Sequence, residues 1–143
     1  MEIISKTTED TKKLAFSIAQ KLKPEDVLAL YGGLGSGKTT FTGFLTRALN
    51  SSSRVQSPTF VLVRRYKCNL NGIKFINHID LYRLSDINEI LDLGFKEILN
   101  EKDTLSIIEW PELVKNYLPN KTTKIKFEII DENERKINVQ NPN

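Results

Sequence analysis

A single cysteine, Cys68, and a single histidine, His78, stand among the 143 residues. One cysteine excludes an internal disulfide and fits a reducing cytoplasm, where thiols stay free. With only one histidine besides, the chain holds too few nitrogen and sulfur ligands for a structural zinc site. It has no run of about 18 apolar residues, so no membrane-spanning helix is expected. The opening Met1-Glu2-Ile3-Ile4-Ser5-Lys6 lacks a charged start followed by an apolar core, and no secretory signal is expected. Neither sign of charge predominates: the net charge is +3, which permits contact with phosphates without arguing for a nucleic-acid-binding surface. Repeats, low-complexity tracts and long linkers are missing. One domain over residues 1–143 is therefore expected.

What is present alternates between helical and strand patterns. Thr7-Thr8-Glu9-Asp10, followed by Leu14, Ile18 and Leu22 at helical spacing, predicts a capped helix ending near Pro24. Val27-Leu28-Ala29-Leu30-Tyr31 is a short apolar run flowing into glycines, which suits a buried parallel strand. A second helix is predicted to start inside those glycines, with Phe41, Phe44, Leu45 and Leu49 on its inner face, and to end at Ser51-Ser52-Ser53. Residues 60–67 read as a strand, Asn71-Gly72 as a hairpin turn and residues 73–79 as the returning strand. Short helices are predicted over 86–91 and 95–99, broken by Gly94. Residues 104–109 form a second continuous apolar strand ending in an acid. Residues 124–130 and 135–139 alternate around Asp131-Glu132-Asn133-Glu134 and predict a closing antiparallel hairpin. Helices interleaved with strands imply an α/β fold on a mixed sheet.

The chemistry is concentrated in Gly32-Gly33-Leu34-Gly35-Ser36-Gly37-Lys38-Thr39, which meets every fixed position of G-x-x-x-x-G-K-[ST]. Glycines in such a loop let successive N–H groups turn inward around phosphate oxygens, and the following helix presents its positive dipole end. Lys38 would reach the β- and γ-phosphates as a point charge, and the Thr39 hydroxyl would bind magnesium. The expected ligands are ATP or ADP with Mg2+. Without a ligand, the same segment is a glycine-rich strand-to-helix turn.

Hydrolysis also needs an acid near the metal and a group that orients water. Glu109 follows Leu105-Ser106-Ile107-Ile108, and Asp80 follows Phe75-Ile76-Asn77-His78-Ile79, so both sit at strand C-termini, where ligands gather in open α/β sheets. Either is a candidate to hold magnesium or to position the attacking water. The plain alternatives are a solvated strand end for Glu109 and a turn or helix-cap residue for Asp80. His78 reads as a hydrogen-bonded structural residue, Trp110 as core packing, and Arg64, Arg65 and Lys67 as a solvated strand face. Arg83, close behind Asp80, is in reach of phosphate or a partner.

In chain order, Leu30 to Phe41 around the glycine loop, Val55-Gln56-Ser57-Pro58-Thr59-Phe60, His78-Ile79-Asp80-Leu81-Tyr82-Arg83-Leu84, Gly94-Phe95 and Ile107-Ile108-Glu109-Trp110-Pro111-Glu112 together resemble the TsaE (YjeE) family. The resemblance spans essentially the whole chain. It implies a P-loop NTPase fold with a mixed central sheet flanked by helices, and a weak intrinsic ATPase. It also implies a role in threonylcarbamoyladenosine formation on tRNA, with a TsaB–TsaD pair as partner and tRNA met only through that complex. By position, Thr39 and Glu109 look like the magnesium-side residues and Asp80 like a second essential acid. The Thr59 hydroxyl resembles a γ-phosphate sensor in a switch-like segment. Thr11, within Thr8-Glu9-Asp10-Thr11, and Arg135 match looser patterns that flank the adenine, while Gly33 to Thr40 form the phosphate cradle. Family members commonly carry Asp where this chain has Gly33, and Ala where it has Ser36.

The mechanism expected from these residues is ATP hydrolysis by positioning and charge stabilisation, slow without a partner because no residue reads as an arginine finger. Two rivals share the loop. A small-molecule kinase usually carries an arginine-bearing lid, and no such insertion follows Asp80 here. A nucleotide-gated binding module would use ATP only to set a docking surface.

Overall fold

The computed structural model describes residues 1–51 and 62–142. Among the described residues, the first element is an edge strand, β1 (Glu2–Ser5), which the sequence reading did not anticipate. Four residues, of which only Ser5 is buried, are too short a run to reveal a strand. Its partner, 130 residues later, is what defines it.

The capped helix is α1 (Thr8–Ala19). Thr7 has extended backbone, and its hydroxyl accepts from the Asp10 N–H at 3.4 Å, while the Asp10 carboxylate accepts from the Lys6 N–H at 3.0 Å. Glu9 and Asp10 also complement the dipole in the first turn. The helix stops at Ala19, short of Pro24. A side chain from elsewhere ends it: Asn71 Nδ2 donates to the carbonyls of Ala19 at 3.2 Å and Leu22 at 3.0 Å.

The apolar run forms β2 (Val27–Tyr31), and the glycine segment leads into α2 (Lys38–Ala48). A hairpin follows, β3 (Val63–Leu70) and β4 (Ile73–Asp80), turning on Asn71 and Gly72 with φ of 55° and 83°. Two left-handed central residues give the turn whose twist matches paired strands. The expected strand over 60–67 is thus seen from Val63, and its first positions lie outside the described residues, as does Thr59. Then come α3 (Asn88–Asp92), two residues later than expected at its start, α4 (Phe95–Leu99) and β5 (Thr104–Glu109). A 3-10 segment, Pro111–Tyr117, was not anticipated. The closing hairpin is β6 (Thr123–Ile129) with β7 (Arg135–Gln140).

The strands make one mixed sheet in the order β1-β7-β6-β2-β5-β4-β3. β6, β2, β5 and β4 run parallel, and the antiparallel pairs are β3–β4, β6–β7 and β1–β7. β2 and β5 occupy the centre, and Val27 to Leu30 and Leu105 to Ile108 are buried along both faces. This is why they read as unbroken apolar runs rather than alternating ones. One face packs Leu28, Leu30, Leu105 and Ile107 against Leu14, Ala15, Phe41 and Leu45 of α1 and α2. The opposite face packs Val27, Ile79 and Ile108 against Ile90, Phe95, Leu99 and Val114. Each such aliphatic side chain contributes about 1.5–3 kcal/mol by leaving water. No described helix is long and apolar enough to cross a membrane.

Candidate functional site

Because β2, β4 and β5 are parallel neighbours, their C-terminal ends come out together. Leu30 and Asp80 both stand in register with Glu109, and the glycine segment leaves the sheet directly beyond Tyr31. Sheet order, which no local pattern encodes, therefore sets the two acids beside the glycine loop.

The loop has a shape that alanine would not tolerate at its base. Gly32 has φ of 149°, and a Cβ there would lie 2.6 Å from Ser36 Oγ and 2.7 Å from the Phe127 carbonyl oxygen. The chain thus passes against β6 with no room for a side chain. Gly37, at φ 105°, precedes the first residue of α2 and contributes no side-chain cap. Gly33 differs from both, since a Cβ there meets nothing within 4 Å. That position is therefore open, and its glycine is not required by the backbone.

Lys38 is only 5% exposed. Its ammonium donates to the Gly32 carbonyl and lies 3.8 Å from the centre of the Trp110 ring. Burial pulls its pKa below the ordinary lysine value, and Glu109, Asp80 and Glu112 pull the other way. The ammonium is thus partnered by a carbonyl and an aromatic face, with three carboxylates close enough to favour its charge.

Glu109 is 3% exposed, so it is no solvated strand end. Its Oε2 is hydrogen-bonded to Nε2 of His78, which is fully buried. Asp80 is half-buried, and its Oδ1 accepts from the Tyr82 N–H at 3.0 Å, so it does make the turn that its plain reading suggested. It faces the site at the same time. Trp110 is half-buried and packs on the second core, yet its ring also covers Lys38 and lies 5.0 Å from that of Tyr82. It is both core and site.

These groups open on a cavity of about 670 Å3, a size usual for small-molecule sites. Gly33, Leu34, Gly35, Ser36, Gly37, Lys38, Thr39 and Thr40 line it, with Asp80 and Glu109 from the strand ends and with Thr11 and Arg135. Thr59 lies outside the described residues. Arg135 Nη2 donates to the Gly35 carbonyl at 3.2 Å, and Nη1 donates to those of Asp131 at 2.7 Å and Glu134 at 3.0 Å. It thereby ties the β6–β7 hairpin to the glycine loop. Thr11 shares a 2.7 Å hydroxyl contact with Ser5 at the end of β1.

The sequence reading missed Tyr82, Phe127, Asn133, and Ser5 with Thr7 as wall residues. Tyr82 carried a signal, standing two residues beyond Asp80. The others reach the site only through the pairing of β1, β7 and β6. Arg83 is exposed and does not line the cavity. Arg65 lies over the Phe75 ring at 4.2 Å and pairs with Glu101, so it is engaged locally on its strand face.

The fold and site together define a mixed α/β protein in which a glycine-rich strand-to-helix loop, two strand-end acids and a buried lysine share one cavity. The family model described as threonylcarbamoyl adenosine biosynthesis protein TsaE matches residues 5–137. The chain belongs to the TsaE family, whose members serve tRNA threonylcarbamoyladenosine biosynthesis. It is 41% identical to the TsaE of Rickettsia felis, over 93% of this chain and 75% of that one. It is also 41% identical to the TsaE of Aquifex aeolicus, over 96% and 94%. The crystal structure of YdiB from Bacillus subtilis superposes with a TM-score of 0.78 at 28% identity, covering 100% of this chain and 86% of that one.

Proposed function

We propose that this chain has a P-loop NTPase fold, binds ATP with magnesium, and hydrolyses it as the accessory of a TsaB–TsaD-like complex that modifies tRNA. The observation that carries the reading is the single cavity in which the 33–40 loop, Lys38, Asp80 and Glu109 converge.

Magnesium fits the donors on hand. Thr39, Asp80 and Glu109 offer hard oxygens on one cavity, and no group of three or more histidine, cysteine or carboxylate ligands occurs among the described residues. That combination suits an ion that keeps several waters and shares the substrate's phosphates instead of sitting in a protein cage. Thr39 and Glu109 are the residues that would hold it. When bound, the ion neutralises charge on the β- and γ-phosphate oxygens.

The remaining work belongs to the chain. Loop amides and the start of α2 bind phosphate oxygens. Lys38 leaves the Gly32 carbonyl for the phosphates and stabilises charge there. Glu109 or Asp80 orients the attacking water. Thr11 and Arg135 flank the nucleoside, and the Thr59 hydroxyl senses the γ-phosphate. Among the described residues, Arg135 is the arginine on the cavity wall, and its guanidinium is engaged by main-chain carbonyls. Turnover is accordingly slow alone, since a free arginine contributes about 10³–10⁵ in rate where one is present.

Calorimetry with ADP and a non-cleavable ATP analogue, followed by phosphate release, tests this. Binding with slow release, stimulated by TsaB and TsaD homologues and abolished in Lys38→Ala with an unchanged circular dichroism spectrum, is expected. No heat of association with either nucleotide overturns it, and so does full turnover in Lys38→Ala. Transfer of phosphate to an added acceptor would instead support a kinase.

A further inference from the structure

We infer that His78 is a positioning residue for Glu109: it binds one carboxylate oxygen beneath the site and so fixes how the acid meets the cavity. The inference rests on the nucleotide-hydrolysing reading above.

Register makes the contact possible. His78 lies opposite Ile107 in the β4–β5 pair, and Asp80 lies opposite Glu109. Side chains two apart on a strand share a face, so His78, Asp80, Ile107 and Glu109 all project to one side. His78 sits one pleat below Asp80 and reaches diagonally to Glu109 Oε2.

The pair is out of water on both sides, with His78 at 0% and Glu109 at 3% exposure. A buried carboxylate without a donor is costly, and among the described residues His78 is the one that supplies a side-chain bond to Glu109. Among the described residues the imidazole makes no other hydrogen bond, because Nδ1 is buried without a partner. The Tyr66 ring lies nearby, with centroids 6.2 Å apart. The polarity of the imidazole is thus spent on one oxygen of Glu109. Oε1 forms no hydrogen bond among the described residues and is the oxygen left to meet metal or water. A leucine or phenylalanine would satisfy the apolar surroundings of this position better. The histidine is explained by what it does to the acid.

The test compares His78→Phe, which fills the space and removes the donor, with His78→Gln, whose amide nitrogen reaches about as far as Nε2. Each is measured for kcat and KM, for ADP affinity with and without magnesium, and for a cooperative unfolding transition. In His78→Phe, kcat is expected to fall about 10–100-fold, as for other groups that orient metal ligands. The magnesium-linked gain in ADP affinity should be lost, while magnesium-free ADP affinity stays within about twofold. His78→Gln should recover both properties to within about tenfold of wild type. If His78→Phe does not fold, His78→Asn, whose amide is one methylene short, takes its place against His78→Gln.

Wild-type kcat and magnesium linkage in a folded His78→Phe protein overturn the inference. So does equal impairment of the folded Gln variant, which would leave packing as the only role. A wild-type protein that binds no nucleotide is a different failure: it removes the functional reading first, and the role of His78 falls with it.

Discussion

Trp110 stands in the left-handed region, at φ 57° and ψ 54°, and the centre of its ring lies 3.8 Å from the Lys38 ammonium. A non-glycine residue held there stores about 1–3 kcal/mol, and such strain collects at functional sites. Here it has a visible product. The chain turns sharply after Glu109 into Pro111, and the turn swings the indole back over the loop lysine.

That cover makes the charge on Lys38 pH-sensitive. Burial depresses its pKa in the folded protein, against the pull of Glu109, Asp80 and Glu112, while the unfolded chain titrates near 10.5. Between the two values the unfolded chain holds more protons, so stability rises with pH across that window. Without nucleotide, wild type should gain stability relative to Lys38→Met as the pH rises toward about 10.5. Urea unfolding of both proteins across the range reads this, and a gap that widens against wild type would refute it.

Gly32 and Gly33 should respond oppositely to the same change. Gly32→Ala forces a Cβ against Ser36 Oγ and the Phe127 carbonyl at a φ that L side chains rarely adopt, and should cost about 2–4 kcal/mol, or fail to fold. Gly33→Ala meets open space and should stay within about 0.5 kcal/mol of wild type. Gly33→Asp should fold equally well, which makes it a clean way to add a carboxylate to the cavity wall. Chemical denaturation distinguishes these cases.

Arg135 joins two halves of the cavity wall through the Gly35 carbonyl. Arg135→Lys keeps the charge but loses the planar fork that serves several carbonyls at once. We expect a loss of about 1 kcal/mol in stability and a fall in ADP affinity of about tenfold. Calorimetry and thermal unfolding of the same sample measure both. Affinity unchanged in Arg135→Ala as well would remove this residue from the nucleotide wall.

Asn71 serves two ends at once: it adopts a left-handed turn conformation, and its Nδ2 donates to the carbonyl of Ala19, the last residue of α1, and to that of Leu22 beyond it. Asn71→Asp preserves the turn preference but turns an oxygen toward the carbonyls that the amide served. It should cost about 1–3 kcal/mol, whereas Asn71→Gly should lose only the cap, about 1 kcal/mol. Hydrogen exchange at the C-terminal turn of α1 should quicken in both.

Much of this molecule was legible in one dimension. β2, β5 and α2 appear where unbroken apolar runs and the glycine loop put them, because those signals are local: burial on both faces demands continuous apolar residues, and a phosphate-loop pattern demands glycine, lysine and threonine at set intervals. The hairpin at Asn71-Gly72 and the cap at Thr7 follow for the same reason. What pairing between distant strands decides was not legible. β1 exists as a strand only because β7 pairs with it, α1 ends at Ala19 because a hairpin tip arrives there, and the Pro111–Tyr117 turn follows from the strained backbone at Trp110. The sequence alone nominated Lys38, Asp80 and Glu109 as candidate site residues, since residue type and strand-end position carry that information, and the structure brings all three to one cavity. The tertiary structure alone showed that Glu109 is buried on His78 and that Trp110 covers Lys38, because such contacts depend on sheet order and register, which spacing along the chain does not encode.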